Sequence, residues 1–243
     1  MKKTFAIFSV VAFFAFCSCN HVTLSGNDIT RSFNIENTYT KLSVANAFEV
    51  TVSDTAQQVY VTTDENVMPK VVVEKIGNKL SIYLKPMTTN FGMDLKVILP
   101  YNELMKDIEL SGASEFRSDF GLSGEALEIK MSGASELDCN IETTNLELDM
   151  SGASEATLTG QAANLDLELS GASRVKKTVN GAQYAFACDY CEGEMSGASR
   201  AYIHCNSTID IDLSGASDLH YTGMPFTGDC TISGGSQLIH DEL

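Results

Sequence analysis

The stretch Asp107–Glu115, DIELSGASE, holds the pattern that decides the fold, because the second half of the chain repeats it. Its tetrapeptide Ser-Gly-Ala-Ser, or the near copy Ser-Gly-Gly-Ser, begins at Ser111, Ser132, Ser151, Ser170, Ser196, Ser214 and Ser233. The repeats are therefore about 19 residues long, apart from one interval of 26 residues. Units this short cannot hold a helix pair, and they bury a core only by stacking on their neighbours.

Apolar and charged residues alternate before each tetrapeptide. In the first repeat, Ile108 and Leu110 are apolar, and the residues between and before them are Asp107 and Glu109. A period of two is typical of a strand with one buried face. The sequence therefore predicts an all-β protein, a β-helix-like solenoid of about seven stacked coils that follows an N-terminal β-strand region.

The tetrapeptides form one vertical stripe if the coils stack in register. We expect Gly to permit a bend, Ala to fit where the interior narrows, and the Ser hydroxyls to hydrogen-bond to one another along the stripe. A nucleophilic role is disfavoured, because seven equivalent serines are not one active site and the four histidines are scattered.

Carboxylates occupy the position four residues before each tetrapeptide. These residues are Asp107, Glu128, Glu147, Asp166, Glu192, Asp210 and Asp229. Five of the seven residues two positions later are also acidic, so one outer face should carry two acidic columns, in which like charges about 5 Å apart repel by roughly 1 kcal/mol. One hypothesis is weak Ca²⁺ binding, since Ca²⁺ prefers oxygen ligands. The alternative is a solvated face that discourages sheet aggregation. No other cofactor is expected.

The 26-residue interval contains an aromatic insertion, NGAQYAFACDYCEGE, beside the one basic cluster of the repeats. Insertions in solenoids become loops on one face, and such loops often bind partners. The candidate binding residues are Arg174, Lys177, Tyr184, Tyr190 and Tyr202. The alternative is that the insertion only fills space.

Five cysteines follow the N-terminal segment, namely Cys139, Cys188, Cys191, Cys205 and Cys230. An odd number leaves at least one unpaired within a single chain. Cys188 and Cys191 form a CxxC motif, but a redox motif needs a helix N-terminus to lower the thiol pKa, and this context predicts a strand. Buried thiols or a local disulfide are favoured. A zinc site with His204 and Cys205 and a redox centre are the alternatives.

The first 18 residues have the features of an export signal, with two lysines followed by about a dozen apolar residues. That stretch is shorter than the roughly 20 residues that span a bilayer. The segment from Phe16 to Cys19 resembles a bacterial lipobox, so we expect a signal peptide over 1–18, lipidation of Cys19 and a linker over 19–36. The predicted location is the outer membrane, with the lipid anchor in the bilayer. The lack of an acidic run after Cys19 favours the periplasmic side over the cell surface.

The remaining chain divides by charge. Residues 20–106 hold 8 basic and 9 acidic residues, whereas residues 107–243 hold 6 basic and 23 acidic residues. We predict an N-terminal β region over 37–106 and a repeat region over 107–243, with one continuous domain over 37–243 as the alternative. Strands are predicted over 48–52, 59–62, 70–75, 80–84 and 95–99, with a hairpin turn at Gly77-Asn78. The strong negative charge disfavours nucleic acid as a partner.

The stretch FEVTVSDTAQQVYVTTDENVMPKVVVEKIGNKLSIYL, the lipoprotein signal and the SGAS repeats resemble the head-GIN domain family, auto-transporter adhesins abundant in Bacteroidetes. The resemblance covers roughly Phe48–Gly223. That family commonly carries S-G-S/A-G-D in each coil, whereas this chain carries SGAS followed by Glu, Asp, Arg or Gln. The resemblance implies a β-helix-like fold and supplies no catalytic residues.

Two function classes remain. The first is a non-enzymatic cell-envelope lipoprotein, an adhesin whose solenoid binds a glycan or an envelope protein. The second is a carbohydrate-active β-helix enzyme, such as a Ca²⁺-dependent polysaccharide lyase in which a basic residue abstracts a proton. The absence of Trp, the few basic residues and the even spread of carboxylates favour the first class.

Overall fold

A computed structural model describes residues 21–89, 92–181 and 183–242 of this chain. The described residues form strands throughout, apart from turns, loops and one 3-10 helix at Met68–Lys70. The prediction of an all-β protein is therefore confirmed. Within these ranges, no helix is long and apolar enough to cross a membrane.

Nine strands precede the first Ser-Gly-Ala-Ser repeat. They are β1 His21–Val22, β2 Asp28–Phe33, β3 Lys41–Val44, β4 Glu49–Ser53, β5 Val59–Asp64, β6 Val71–Ile76, β7 Lys79–Leu84, β8 Thr88–Thr89 and β9 Lys96–Pro100. The five strands predicted here are confirmed to within two residues at each end. The predicted hairpin is also confirmed, because β6 and β7 are antiparallel and Gly77 between them has φ +61°.

The prediction of a linker over 19–36 needs a correction within its described part. Strand β2 pairs antiparallel with β5 along its whole length, and β1 pairs with β8. Ile29 and Phe33 of β2 also pack against the core. This segment folds because Ile29 and Phe33 pack on the core and its backbone pairs with a strand 26 to 36 residues further along the chain, which the local sequence does not reveal.

The repeats supply the remaining strands. They are β10 Asp107–Leu110, β11 Glu115–Met131, β12 Glu136–Met150, β13 Glu155–Leu169, β14 Arg174–Val175, β15 Val179–Asn180, β16 Gln183–Tyr184, β17 Phe186–Met195, β18 Arg200–Leu213, β19 Asp218–Thr222, β20 Phe226–Thr227, β21 Thr231–Ile232 and β22 Gln237–His240. Apart from the antiparallel hairpin of β15 and β16, their pairing is parallel and joins each repeat to the next.

Equivalent positions of successive repeats are paired directly. The apolar residue before each tetrapeptide shows this register, because Leu110 pairs with Met131, Met131 with Met150, and Met150 with Leu169. These side chains are buried and form one continuous hydrophobic core with the apolar residues of the N-terminal strands. The predicted vertical registration of the repeats is therefore confirmed.

The tetrapeptide glycines form a column in which a side chain has no room. Gly152 has φ +74°, and an added Cβ would lie 2.5 Å from the carbonyl oxygen of Gly133 in the preceding repeat. The neighbouring backbone closes the ladder, since the amide of Ala153 donates to that same carbonyl oxygen. Glycine is needed both for the left-handed backbone and for the close approach of the repeats.

Two expectations for the tetrapeptide are wrong. The Ala is exposed, because Gly and Ala occupy the outer tip of the turn, and the second Ser points inward instead. The Ser hydroxyls also do not bond to one another along the column. Ser154 Oγ donates to the carbonyl of Ser151 at 3.1 Å, three residues back in the same turn, because the tight turn brings that acceptor closest.

The stacking continues from the repeats into the N-terminal strands. Strand β10 pairs in parallel register with β3, and β11 pairs with β4. The intervening segment Ala45-Asn46-Ala47-Phe48 occupies the tetrapeptide position, and Asn46 has the positive φ, +81°, that glycine has in later repeats. This degenerate repeat places lysines of β3 and β7 beside the first acidic repeats.

Candidate functional site

The seven carboxylates predicted as one column do lie in neighbouring register. Asp107 pairs with Glu128, and the pairing continues in order through Glu147, Asp166, Glu192 and Asp210. The last member, Asp229, donates its backbone N–H to the Asp210 carboxylate at 2.9 Å. All seven are partly or fully exposed, as is the second column two residues later. We call these two columns the acidic face.

Lysines neutralise the part of the acidic face nearest the N-terminal strands. Lys41 lies 3.2 Å from Glu109, 3.9 Å from Asp107 and 4.0 Å from Glu128, and Lys79 lies 2.6 Å from Glu109. Lys130 bonds to Glu128 and lies 3.6 Å from Glu147. We call Asp107, Glu109, Glu128 and Glu147 the paired half.

The lysines change the ionisation of the paired half. Burial alone would raise the pKa of Glu109, but hydrogen bonds and attraction from Lys79 and Lys41 outweigh it and hold that pKa below its usual range. Burial likewise opposes the charge of Lys41, yet the carboxylates around it raise its pKa. Each group therefore stabilises the charged form of the other.

The rest of the acidic face has no such partner. Asp149 lies between the two halves and is counted in neither. The open half consists of Asp166, Glu168, Glu192, Glu194, Asp210, Asp212 and Asp229, which line a shallow groove of about 350 Å³. In the described part of the chain, none of these carboxylates forms a salt bridge. Burial raises the pKa of Asp166, and the Glu192 carboxylate beside it adds to that shift. Like charges here repel with no basic side chain to compensate them, although Asp210 and Asp212 each accept one backbone N–H, from Asp229 at 2.9 Å and from Thr231 at 3.2 Å.

The carboxylates of the acidic face do not form a preformed metal cage. Among the described residues, no three or more His, Cys, Asp or Glu side chains are grouped so that they could hold a metal ion. The register explains this, because a column presents its carboxylates side by side at strand spacing, and Ca²⁺ needs six to eight oxygens converging on one point.

Two exposed aromatic residues border the open half. Tyr190, one of the predicted binding residues, is 54% exposed, and Phe226 is 72% exposed. Both lie in the column two residues before the carboxylates, because Tyr190 pairs with Thr208 and Thr208 pairs with Phe226. Sequence reasoning missed Phe226, although it lies one repeat after Thr208 and two after Tyr190.

Three other predicted binding residues come together on a different face. The ammonium of Lys177 lies 5.5 Å from the ring centre of Tyr184 and 6.0 Å from that of Tyr202, and the two rings meet edge to face. His220 stacks on Tyr202, and Asp241 accepts hydrogen bonds from His220 and from the Tyr184 hydroxyl. We call these five residues the aromatic cluster.

The aromatic cluster holds the insertion against the later repeats. Tyr184 is only 1% exposed, so its ring has no free face, and burial together with Asp241 raises the pKa of its hydroxyl. Arg174, the fifth predicted binding residue, lies apart from the cluster and pairs with Glu155 at 2.8 Å. Sequence reasoning missed His220 and Asp241, although His220 pairs in register with Tyr202 and so shares its repeat position.

The cysteines are separate from both surfaces. Four are buried and Cys230 is partly buried, and none of the five is in a disulfide. The CxxC pair lies in strand β17, and the ring of His204 bonds to Thr222 and Asn206 instead of a thiol. Cys19, the predicted lipidation site, lies outside the described residues.

Solved structures share this fold. A "putative adhesin" from Bacteroides fragilis matches with TM-score 0.75 and 19% identity over 90% of this chain and 100% of its own. A "putative lipid binding protein" from Parabacteroides distasonis matches with TM-score 0.69 and 20% identity, covering 92% and 100% of the two chains. Identities this low show the common fold alone.

A family profile, and no curated protein, matches this sequence. No curated protein gives a significant match. Residues 38–225, however, match the sequence profile of a family described as "Putative auto-transporter adhesin, head GIN domain". This range includes strands β3 to β9, six of the seven tetrapeptides and most of the acidic face. The chain therefore belongs to the head GIN domain family.

Proposed function

We propose that this chain is a non-enzymatic, adhesin-like lipoprotein of the cell envelope whose open half binds a glycan. In this proposal, residues 37–242, with the strands β1 and β2 that pair onto them, are one continuous unit, a β-helix-like solenoid of about seven coils that serves as a rigid support. The family description supports an envelope or surface location. The in-register parallel pairing of successive repeats supports the solenoid.

One observation carries the proposal: the open half keeps seven carboxylates without a basic partner, beside the exposed rings of Tyr190 and Phe226. The repulsion among these carboxylates and the exposure of the rings do not help folding, and only Asp210 and Asp212 accept a backbone N–H of the next repeat. Neighbouring like charges cost about 1 kcal/mol per pair in water, and an exposed ring gains nothing from burial. The chain neutralises the same columns with lysines in the paired half, so the open half retains its charge at a cost that a binding role explains.

A glycan matches the two kinds of group present. Carboxylates only accept hydrogen bonds, and sugar hydroxyls donate them. The apolar C–H face of a pyranose ring packs against an aromatic ring, which provides contact area at low entropic cost. The columns of the open half recur at strand spacing, which suits an extended chain of sugar units over a single compact ligand.

Ca²⁺ enters this proposal as a weakly held counterion. Since the columns offer no cage, several carboxylates would share the ion through their combined field, and affinity would lie in the millimolar range of weak sites. A bound ion would also allow an acidic glycan to approach. We propose this role for Asp166, Glu192, Asp210 and Asp229, the members of the predicted metal column that lie in the open half.

A lyase is the weaker candidate for this face. Lyase chemistry needs a basic group beside the substrate to abstract a proton. The described basic side chains near the acidic columns belong to the paired half, where carboxylates hold Lys41, Lys79 and Lys130. The family description, an adhesin, also favours binding over catalysis.

The anchor and orientation belong to the same proposal. Cys19 would carry the lipid, and the chain would face the periplasm from the outer membrane. Labelling of growing cells with a radioactive fatty acid should mark the wild type and not Cys19→Ala. Protease added to intact cells should leave the wild type uncut, and cleavage would place it on the surface instead.

A glycan array probed with the full chain tests the binding face. We expect binding to a subset of extended glycans, reduced at least tenfold in the double variant Tyr190→Ala, Phe226→Ala and in Asp210→Asn. Ile76→Ala, an equally exposed apolar residue far along the chain, is the matched control and should bind normally. Binding that is unaffected by the three substitutions would place the site elsewhere.

Thermal melts test the counterion. Millimolar CaCl₂ should raise the melting temperature by a few degrees more than NaCl of equal ionic strength, and Glu192→Gln with Asp210→Asn should remove the difference. Equal effects of the two salts would show only general screening of charge, which contradicts Ca²⁺ binding but leaves the glycan site in place.

A further inference from the structure

Three cysteines lie in the core where the repeat that carries the insertion stacks on the next repeat. Cys188 and Cys191 lie in β17 and Cys205 lies in β18, and they are 1%, 1% and 0% exposed. Cys188 pairs directly with Cys205 in the parallel ladder. Neighbouring strands are about 4.8 Å apart, which lies within the Cα separation of about 4.4–6.8 Å that a disulfide spans.

The backbone turns all three thiols into the interior. Asp189 and Tyr190 are both exposed, so the alternation of β17 changes phase between the two cysteines and both face the interior. Cys191 and Cys205 both influence the pKa of the Cys188 thiol, as close neighbours do. The Cys205 thiol also donates to the carbonyl of Thr208 at 3.3 Å, which fixes its side chain.

We propose that Cys188 and Cys205 are a disulfide site, oxidised as the chain folds in an oxidising compartment. The compartment is the part of this inference that rests on the proposed envelope location. Cys205 is favoured over Cys191 as the partner because the ladder already holds its Cα at the required distance. The bond would join two repeats directly below the insertion.

The chemistry is a thiol–disulfide exchange with a disulfide-bearing oxidant, such as an oxidised dithiol oxidoreductase or glutathione disulfide. The two cysteine thiols lose two protons and two electrons as the new S–S bond forms. The oxidant's S–S bond breaks and takes up both electrons and both protons to give two thiols.

The order of events follows from burial. Contact with Cys191, together with burial, raises the pKa of the Cys188 thiol, and contact with Cys188, together with burial, raises that of Cys205. The thiolate is the attacking species, so the stacked and reduced protein resists oxidation. The bond therefore forms before the repeats close over the thiols.

Refolding in a defined redox buffer tests the site without reference to the cell. The full chain, reduced and unfolded in denaturant, is refolded with mixed reduced and oxidised glutathione, its free thiols are blocked, and its peptides are mapped by mass spectrometry. We expect linked Cys188 and Cys205 peptides and a blocked, free Cys139, which has no thiol neighbour. Free thiols at both positions, or a Cys188–Cys191 link, would overturn the proposal.

The same map made from the envelope fraction of producing cells tests the compartment. A bond that forms in refolding and is missing in cells would contradict the envelope location, and the disulfide site would stand. A bond found both after refolding and in cells supports the disulfide site and the envelope location together.

Variants distinguish the contribution of the disulfide to the melting temperature from that of side-chain packing. Reduction should lower the melting temperature of the refolded wild type by roughly 5–10 °C, from the loss of a loop constraint. Cys139→Ser, a matched buried control, should keep this sensitivity, and Cys205→Ser should lose it. If Cys205→Ser fails to fold, Cys191→Ser serves instead. It should retain both the link and the sensitivity, and their loss would count against the proposed pair.

Discussion

The two halves of the acidic face share one backbone and differ in charge. In the paired half, Lys41, Lys79 and Lys130 lie among four carboxylates, and Lys79 and Lys41 hold the pKa of Glu109 below its usual range. In the open half, seven carboxylates line a groove without a salt bridge among the described residues, and the pKa of Asp166 is raised. Identical strand register thus supports two opposite electrostatic states.

The difference separates what the fold requires from what it tolerates. Each of the seven tetrapeptides needs its glycine, because that glycine stacks directly on the backbone of the preceding repeat. No repeat needs its outer carboxylates in this sense, since the paired half compensates them and the open half does not. Residues that the fold only tolerates are the better candidates for function, which is why we assign binding to the open half.

Substitution of the tetrapeptide glycines should lower the free energy of unfolding more than any charge change does, and by the same amount in both halves. Gly152→Ala and Gly197→Ala each force a Cβ within about 2.5 Å of the preceding carbonyl oxygen at φ near +74°. We expect each to lower the free energy of unfolding by roughly 2–5 kcal/mol, measured by urea denaturation. The exposed neighbours Ala153→Ser and Ala198→Ser are the controls and should change it by less than about 0.5 kcal/mol. If a glycine variant changed the free energy of unfolding as little as its alanine control does, the repeats would not be held in this register.

Much of this register could be predicted from the sequence. A tetrapeptide recurring about every 19 residues behind alternating apolar residues allows one stacking arrangement, so Leu110, Met131 and Met150 could be assigned to the core before any coordinates. The orientation of Ala and Ser within the turn could not, because composition does not show which residue of a tight turn is at the tip.

The charge difference between the halves could not be predicted. Lys41 belongs to a strand whose tetrapeptide has diverged to Ala-Asn-Ala-Phe, and the strand of Lys79 is followed by no tetrapeptide at all, so no repeat signal connects either lysine to Asp107. The pairing of β3 with β10 also skips more than 60 residues of chain. His220 could have been predicted from the sequence, since it occupies the same repeat position as Tyr202. Asp241 could not, because it lies beyond the last tetrapeptide and follows no repeat.

Single charge changes should have smaller effects of opposite sign in the two halves. Lys41→Met leaves Glu109, Asp107 and Glu128 without their shared cation, and we expect it to lower the free energy of unfolding by about 1 kcal/mol. Glu192→Gln removes repulsion from Asp166 and Asp210, and we expect a gain of about 0.5 kcal/mol. Urea denaturation at low salt measures both, and 0.5 M NaCl should shrink both differences. Changes of the same sign would remove the distinction between the halves.

The pH dependence should show the smallest effects, each below about 1 kcal/mol. Glu109 has a lowered pKa in the folded chain, so its stabilising contribution is complete above its ordinary value of 4.5 and is lost as the pH falls through the lower folded value. Asp166 has a raised pKa, so its penalty is complete at neutral pH and is relieved as the pH falls through the raised value toward 3.8. Melting temperatures between pH 3 and pH 7 should therefore show a flatter acid limb for Glu109→Gln below about pH 4.5. Asp166→Asn should melt at a higher temperature than the wild type at pH 7. The two melting temperatures should converge on acidification, because protonation of Asp166 removes from the wild type the charge that the variant lacks. If the two variants changed the curve in the same pH range and direction, the lysines would not be the cause of the difference between the halves.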